Sequence, residues 1–169
     1  LIWDTPTMAA IGAGAGAPIG SLDKCLLGVD RVTKNVYVAF SRLGIAVSQI
    51  EIVRSTTLGL TWDPPIILDA TVVPTGSKQG ARPFCGPAGE VYVVWEKGAN
   101  TIFCADGAGN VSGYNGAQIA FTRSLNFGAS YDPLSVISNL TTGFEASGPG
   151  DLRERANEFP DIGVDRSGG

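Results

Sequence analysis

Short runs of β-branched and aromatic residues recur along the chain, and turn-forming residues separate them. Two of the runs share the tripeptide Val-Tyr-Val, one at residues 35–40 and one at residues 90–95. The first follows a polar turn at residues 30–34, and the second follows a glycine-rich turn at residues 86–89. Nearly continuous apolar runs of this length are typical of strands that are buried on both faces. We therefore predict a β-strand at each run.

Two further runs, residues 50–54 and 118–123, end in arginine and are followed by serine. After each serine the chain fits Ser-x-(Thr/Asn)-x-Gly-x-(Thr/Ser)-aromatic, then Asp-Pro, and then a short apolar strand at 66–68 or 136–137. The matched positions are Ser55, Thr57, Gly59, Thr61 and Trp62 in the first copy and Ser124, Asn126, Gly128, Ser130 and Tyr131 in the second. We expect a positive φ at both glycines. We also expect both aromatic side chains to be largely buried, at equivalent places in their units.

A third element completes the repeat, because Gly-Val-Asp-Arg at residues 28–31 returns at residues 163–166. The units then begin near residues 22, 81 and 158, and each complete unit contains four predicted strands. Repeats of this length are typical of propeller-like arrays. We predict an all-β fold made of β-propeller blades, each a four-stranded antiparallel sheet, with about two complete blades and part of a third. The predicted divisions are an irregular N-terminal segment, two blades, and a loop leading to the first strand of a further blade: 1–20, 21–75, 76–143 and 144–169.

Composition narrows the classes of function. Hydrophobic residues make up 44% of the chain and charged residues 17%, which excludes a disordered chain. There is no apolar run long enough for a membrane-spanning helix, and the net charge of −4 argues against a nucleic-acid partner. The chain has no histidine, so Ser-His-Asp hydrolysis, His-ligated zinc and histidine acid–base catalysis are excluded within it. The three cysteines, Cys25, Cys85 and Cys104, allow at most one internal disulfide; a Cys85–Cys104 pair and buried free thiols are the alternatives, and we favour the thiols.

The two serine-led turns resemble those of the Asp-box, or BNR-repeat, proteins of the sialidase superfamily, whose pattern is Ser-x-Asp-x-Gly-x-Thr-Trp. Here Thr57 and Asn126 occupy the aspartate position, and both side chains can also hydrogen-bond to nearby backbone groups. Residues 79–83 and 159–165 are also similar to those of secreted bacterial sialidase-like propellers. The resemblance implies a secreted, periplasmic or cell-surface protein. It also implies that the box turns lie on the face opposite the ligand site and that they serve the fold rather than the activity.

On the ligand face the resemblance directs attention to two long segments, residues 96–117 and 139–158. In sialidases an arginine at the start of a blade binds the sugar carboxylate through two hydrogen bonds. The corresponding candidate is Arg82, and the alternative is a structural or solvent-exposed arginine. The remaining candidates are Glu96, Tyr114, Arg153 and Arg155, the last two with a solvated charge cluster as the alternative. Asp106 is a calcium candidate, with an ordinary glycine turn as the alternative, and we predict no other metal or cofactor.

Two functions remain open. One is a sialidase-like propeller that acts as an extracellular binding or scaffold module for a carbohydrate or protein partner. The other is a fragment of an exo-sialidase-type glycoside hydrolase whose catalytic set lies partly in missing blades, which further sequence or, as the less favoured source, other subunits would supply. A retaining sialidase needs three arginines, a tyrosine nucleophile with a glutamate partner, and an aspartate acid/base, and the chain alone does not supply this set. We therefore assign no catalytic residue and predict that the chain alone is not an enzyme.

Overall fold

The structure, a computed structural model, describes residues 5–12, 20–44, 48–71, 78–98, 118–139 and 159–165. In these ranges it contains eight β-strands and no helix, so the predicted all-β class is confirmed. The strands are β1 (Ser21–Val29), β2 (Val36–Leu43), β3 (Ser48–Ser55), β4 (Ile66–Thr71), β5 (Lys78–Cys85), β6 (Val91–Lys97), β7 (Gln118–Ser124) and β8 (Ser135–Asn139). Every strand predicted in the first two units is present, most of them a few residues longer than expected.

The strands form two four-stranded antiparallel sheets, in which neighbours along the chain are also neighbours in space. Sheet A has the order β1-β2-β3-β4, and sheet B has the order β5-β6-β7-β8. In each sheet the connections from first to second and from third to fourth strand lie at the same end of the strands, which we call the turn edge. The other connections leave from the opposite end of the strands, which we call the loop edge. Glu96 and Lys97, expected to begin a long loop, instead complete β6 at the loop edge.

The two sheets share the same backbone irregularities at equivalent positions. The first strand of each sheet carries a register shift, which brings a positive φ at Lys24 (52°) and at Gly80 (67°). The third and fourth strands of each sheet also shift register at one point, between Ile50 and Glu51 in sheet A and between Ile119 and Ala120 in sheet B. Since irregularities as well as strands coincide, the sheets are two copies of one structural unit, as the repeat predicted.

The core lies between the sheets and is formed by residues of β2 and β3 in sheet A and of β5, β6 and β7 in sheet B. Strand β5 packs against β1 and β2, and a Cβ at Gly28 would lie only 2.9 Å from the carbonyl oxygen of Pro83. The buried cluster combines two large aromatic residues with small and β-branched ones: Tyr37, Ala39, Ile50, Ile52, Ala81, Cys85, Val91, Val93, Trp95 and Ala120. Small side chains at the contact allow the two sheets to approach closely.

Each serine-led turn is built around the serine hydroxyl. The Oγ of Ser55 accepts hydrogen bonds from the N–H groups of Thr57 (3.2 Å) and Gly59 (2.8 Å). The Oγ of Ser124 accepts the same pair of bonds, from residue 126 (3.2 Å) and Gly128 (2.9 Å). A serine at this position is therefore the acceptor that closes the turn.

The residues at the aspartate position of the box do the work expected of that side chain. Thr57 Oγ1 accepts the N–H of Thr61 at 2.8 Å, and Asn126 Oδ1 accepts the N–H of Ser130 at 3.0 Å. The predicted positive φ at the two box glycines is confirmed, at 87° for residue 59 and 76° for residue 128. The residues just before them, Leu58 and Phe127, also have positive φ, which the residue types do not predict.

Both box aromatics are partly buried, less completely than the core aromatics Tyr37 and Trp95. Tyr131 lies against the core between the sheets, and its hydroxyl is buried with no hydrogen-bond partner among the described residues. Trp62 lies on the side of sheet A that faces away from sheet B, and its Nε1 donates to Thr7 Oγ1 at 3.2 Å. The equivalent positions thus differ because sheet B has a neighbour on that side and sheet A has only a short N-terminal segment.

The segments outside the sheets follow the prediction only in part. Residues 5–12 are irregular, as expected, but residues 159–165 form no strand where the first strand of a third unit was expected. A strand needs a hydrogen-bonded neighbour, and the described residues offer this segment none. Cys85 is buried as expected, whereas Cys25 is exposed, contrary to the buried thiol we favoured, and Cys104 lies outside the described residues. Partial burial and the nearby charge of Asp23 raise the pKa of the Cys25 thiol.

The two box glycines provide a matched stability test. A Cβ at Gly128 would lie 2.5 Å from Cε1 of the buried Tyr37 ring, whereas a Cβ at Gly59 would meet only Trp62, at 3.8 Å. We expect Gly59→Ala to lower the free energy of unfolding by about 1 kcal/mol, the cost of an L-residue at positive φ. Gly128→Ala should lower the free energy of unfolding by about 1–3 kcal/mol more, because the added methyl group overpacks the contact with Tyr37. Denaturant titration of both variants measures the difference, and equal losses would contradict the described packing of the second turn.

Removal of each of the two tyrosine hydroxyls at the sheet interface should affect the free energy of unfolding differently. Tyr37 Oη donates to the carbonyl oxygen of Phe127 at 3.0 Å, so Tyr37→Phe should lower the free energy of unfolding by about 1 kcal/mol. The Tyr131 hydroxyl is buried without a partner among the described residues, so Tyr131→Phe should be neutral or stabilising. Thermal and denaturant unfolding of the two variants check this ordering.

Alkaline pH gives an independent reading of the same pair. Burial, with smaller contributions from Tyr37 and Cys85, raises the pKa of Tyr131 above its usual value. A group whose pKa is raised by folding contributes stability that is lost as pH rises above the unfolded pKa. Stability should therefore fall more steeply above about pH 10 in the parent than in Tyr131→Phe. Identical slopes would contradict a buried hydroxyl at residue 131.

Candidate functional site

The ligand site predicted from the sequence lies at the loop edge. Four segments follow strand ends on this edge and lie outside the described residues: 45–47, 72–77, 99–117 and 140–158. Tyr114, Arg153, Arg155 and the calcium candidate Asp106 therefore lie outside the described part of the chain, and their roles stay predictions. What the structure describes at this edge is the framework from which these segments leave.

A buried ion cluster joins the two sheets at the loop edge. Asp69, near the end of β4 in sheet A, is 96% buried, and its carboxylate faces three donors from sheet B. The Nζ of Lys78 lies 3.2 Å from one carboxylate oxygen. Lys97 Nζ lies 3.4 Å, and Trp95 Nε1 3.1 Å, from the other. One carboxylate is thus satisfied by two ammonium groups and an indole N–H.

Lys78 is the most deeply buried charge of this cluster. Its Nζ also donates to the carbonyl oxygen of Ser48 at 3.1 Å, and its backbone N–H donates to Ser48 Oγ at 3.1 Å. Burial lowers the pKa of Lys78, and Asp69 opposes that shift in part. Since folding lowers this pKa, the unfolded chain binds the Lys78 proton more tightly than the folded chain does. The charged lysine therefore lowers the free energy of unfolding at neutral pH, and this loss disappears only as the pH rises towards the usual lysine pKa.

The same edge of sheet A carries a second ion pair. The guanidinium of Arg42 binds the buried carboxylate of Glu51 through two hydrogen bonds, Nε to Oε1 at 2.6 Å and Nη2 to Oε2 at 3.0 Å. This bidentate contact raises the pKa of Arg42. Arg42 Nη1 also donates to the carbonyl oxygen of Ile11, which fixes the N-terminal segment beside the sheet.

A row of polar side chains crosses the loop edge of sheet B. Lys78 is opposite Lys97, Lys97 is opposite Gln118, and Gln118 is opposite Asn139. The amides of the last two are joined by a hydrogen bond of 3.0 Å, from Gln118 Nε2 to Asn139 Oδ1. Gln118 and Lys97 are half-buried and Asn139 is exposed, so the row passes from the buried cluster to solvent. We call Lys97, Gln118 and Asn139 the polar row.

The structure does not bring the two predicted residues Arg82 and Glu96 together. Arg82 lies within β5, not before it, and is opposite Val94, whereas Glu96 is opposite Gln79 at the other side of the register shift. The guanidinium of Arg82 is paired with Asp161, Nε to Oδ1, at 2.7 Å. Glu96 is buried and has an interaction partner. Arg82 is thus a half-exposed arginine that contacts the segment 159–165 beside β5, and its role in ligand binding stays a prediction.

Sequence reasoning missed Asp69, Lys78 and Lys97. Their signal is a charged residue next to or inside a strand end, as in the run Val-Val-Trp-Glu-Lys that ends β6. Nothing in the linear sequence shows that the three charges meet, because they come from three strands of two sheets. They are recognisable only once the sheets are docked.

The polar row presents one ammonium group and two amide groups. No group of three or more acidic or cysteine side chains that could hold a metal ion exists among the described residues. The described part of the chain also contains no helix long and apolar enough to cross a membrane. The chemistry of the polar row is hydrogen bonding to hydroxyl, carbonyl and carboxylate groups.

Comparison with known proteins gives no assignment. A scan against protein-family models finds no match, and a search of curated proteins finds no matching relative. The assignment of function therefore depends on the geometry described above.

The buried cluster makes a strong prediction about stability. Asp69→Asn leaves the buried Lys78 ammonium without its carboxylate, and we expect a loss of about 3–5 kcal/mol in the free energy of unfolding. The matched control is Asp132→Asn, which removes an exposed ion pair with Arg123 and should cost about 1 kcal/mol or less. Denaturant unfolding of both variants measures the ratio, and similar small losses would mean that the Asp69 cluster is open to water.

Proposed function

We propose that this chain is part of an Asp-box β-propeller of the sialidase-superfamily type and serves as an extracellular binding or scaffold module for a glycan or protein partner. Three features support the propeller: two sheets with coincident irregularities, matching box turns, and packing concentrated between their first strands. Residues 159–165 add to this, since Phe159 lies against Gly80 of β5 as a third element beside the first strands. In a propeller the first strands of successive blades surround a common axis.

The observation that carries a binding role is the polar row at the loop edge. Its ammonium and amide groups stand on rigid strand ends, and the buried Asp69 cluster fixes the lysine at its inner end. Binding residues are most often carried by loops and strand ends that a rigid scaffold positions. Ammonium and amide groups match the hydroxyl and carboxylate groups of sugars and of acidic peptides.

A hydrolytic role for the chain alone has weaker support. The Arg82 guanidinium already pairs with Asp161, so a ligand carboxylate would compete with that contact. Glycoside hydrolysis also needs a nucleophile and a proton donor placed on either side of the bond. The described residues bring together no such pair with Arg82. A binding or scaffold module is therefore the better account of the site.

A glycan panel tests the proposal. We expect weak binding that falls about tenfold in Lys97→Ala, the effect of one lost charged hydrogen bond, and to a smaller extent in Gln118→Ala. Lys34→Ala, an exposed lysine at the turn edge, is the control and should bind as the parent does. Isothermal titration or a glycan array measures the affinities. Binding that is lost in Lys34→Ala and kept in Lys97→Ala would place the site at the turn edge and would contradict the proposal.

An activity assay tests the alternative function. The purified chain should release no product from a fluorogenic sialoside or from a panel of aryl glycosides, because the catalytic groups of such enzymes come from several blades. Turnover above background that disappears in Arg82→Ala would overturn the binding-module proposal and identify that arginine as part of an active site.

A further inference from the structure

The polar row lies on the face of sheet B that is turned towards sheet A. Lys78 and Lys97 are opposite each other on β5 and β6, and the Nζ atoms of both lie within 3.4 Å of the Asp69 carboxylate of sheet A. Residues that are directly opposite in antiparallel strands have their side chains on the same face. Gln118, opposite Lys97, and Asn139, opposite Gln118, therefore share this face. The row thus borders the groove between the two sheets, and both walls of that groove belong to the described chain.

The spacing of the row is set by the sheet itself. Neighbouring strands are about 4.8 Å apart, so the groups of Lys97, Gln118 and Asn139 repeat at that interval over roughly 10 Å. The length of one sugar residue in an extended glycan chain is close to this interval. An extended peptide presents side chains on one face only about every 6.7 Å, which matches the row less well. The spacing therefore favours a linear glycan that lies across the strands.

The inner end of the row carries an excess of positive charge. Two ammonium groups, those of Lys78 and Lys97, face the single carboxylate of Asp69. The Lys97 side chain is 31% exposed, and only one of the three N–H donors of its ammonium group is needed to face Asp69. An anionic group on a ligand is therefore favoured at this end of the row.

The outer end of the row is uncharged. Gln118 Nε2 donates to Asn139 Oδ1 at 3.0 Å, which leaves the Gln118 carbonyl oxygen as an acceptor and the Asn139 amino group as a donor. Sugar hydroxyls can pair with both, because a hydroxyl donates and accepts hydrogen bonds. The row thus offers one charged contact followed by two neutral ones.

The equivalent row of sheet A does not have this composition. Arg42 takes the place of the lysine, is opposite Gln49, and Gln49 is opposite Ala70. The guanidinium of Arg42 is already bound by the Glu51 carboxylate and the carbonyl oxygen of Ile11. An alanine stands where sheet B has its second amide. Of the two copies, sheet B alone combines an accessible cation with two amides, and sheet A supplies an internal control.

We propose that the polar row binds a linear glycan that contains an acidic sugar residue, with the glycan running across the strands from Lys97 to Asn139. The carboxylate of the acidic residue pairs with the Lys97 ammonium group. Hydroxyl groups of the following residues hydrogen-bond to the amides of Gln118 and Asn139. This inference rests on the proposed binding role of the row and adds the class of ligand, a chain recognised along its length rather than at its end.

Calorimetric titration with oligosaccharides of known length tests this ligand class. The probes are linear oligomers of galacturonic acid and of mannuronic acid, one to four residues long, together with the methyl ester of each, which lacks the charge. We expect the affinity to increase up to about three residues, the span of the row at the strand spacing, and then to level off. At low salt the acids should bind about tenfold more tightly than their esters, and added salt should reduce this difference.

Variants assign the two ends of the row. Lys97→Met should remove the preference for acid over ester, and Lys97→Arg, which keeps the charge, should retain it. Asn139→Ala should leave the affinity for two-residue oligomers unchanged and remove the gain from the third residue. Gln118→Ala should weaken binding, whereas Gln49→Ala, the matched change in sheet A, should bind as the parent does. Circular dichroism and thermal unfolding verify that the variants are folded.

The outcomes separate this inference from the proposed function. Equal affinity for acids and esters, or for one residue and three, would overturn the inference and leave a glycan-binding module in place. Equal losses in Gln49→Ala and Gln118→Ala would also overturn it, because the ligand would then not lie along the row. A parent protein that binds none of these oligomers would overturn it as well, and the proposed function would then be decided by the wider glycan panel alone.

Discussion

At the turn edge, the relative placement of the two sheets depends on one carbonyl oxygen, that of Phe127, which a tyrosine hydroxyl and an arginine guanidinium bind together. The carbonyl is presented outward because the box turn holds Phe127 and Gly128 at positive φ. The turn in turn depends on the Ser124 hydroxyl, which binds two backbone N–H groups. A chain of local hydrogen bonds, specified by a short sequence pattern, thus fixes a contact between two distant parts of the chain.

The two sheets are fastened at both edges, with an apolar core between them. At the turn edge the contact is the pair of hydrogen bonds to the Phe127 carbonyl oxygen, and at the loop edge it is the Asp69 cluster, whose carboxylate in sheet A binds two lysines of sheet B. The core between the two edges supplies non-directional stability. The polar fastenings are directional, and a buried ion pair adds little net stability over an apolar substitute. We interpret them as the features that set the angle and the register of the sheets, which in turn position the polar row.

Much of this fold was predictable from local pattern, and the parts that were not depend on tertiary contact. The Val-Tyr-Val runs and the serine-led turns predicted the strands and the repeat, because strand formation and turn chemistry are determined by neighbours along the chain. The surroundings of Trp62 were not predictable because they depend on whether a second sheet lies on that side. The Asp69 cluster was invisible because its members are brought together only by docking. The pairing of Arg82 with Asp161 was not predictable either, because the two residues are nearly eighty positions apart in the sequence.

The most direct test of the account is the contact between the Tyr37 ring and Gly128 in solution. The Tyr37 ring packs so closely on Gly128 that a Cβ added to this glycine would lie 2.5 Å from Tyr37 Cε1. The account predicts strong nuclear Overhauser effects between the aromatic protons of Tyr37 and the α-protons of Gly128 in dilute, isotopically labelled protein. Weaker effects or none are predicted between Tyr92 and Gly59 within one molecule, since these belong to the two outer ends. Well-dispersed strand resonances without the Tyr37–Gly128 effects would show that the sheets fold but do not dock in this way, and would contradict the account.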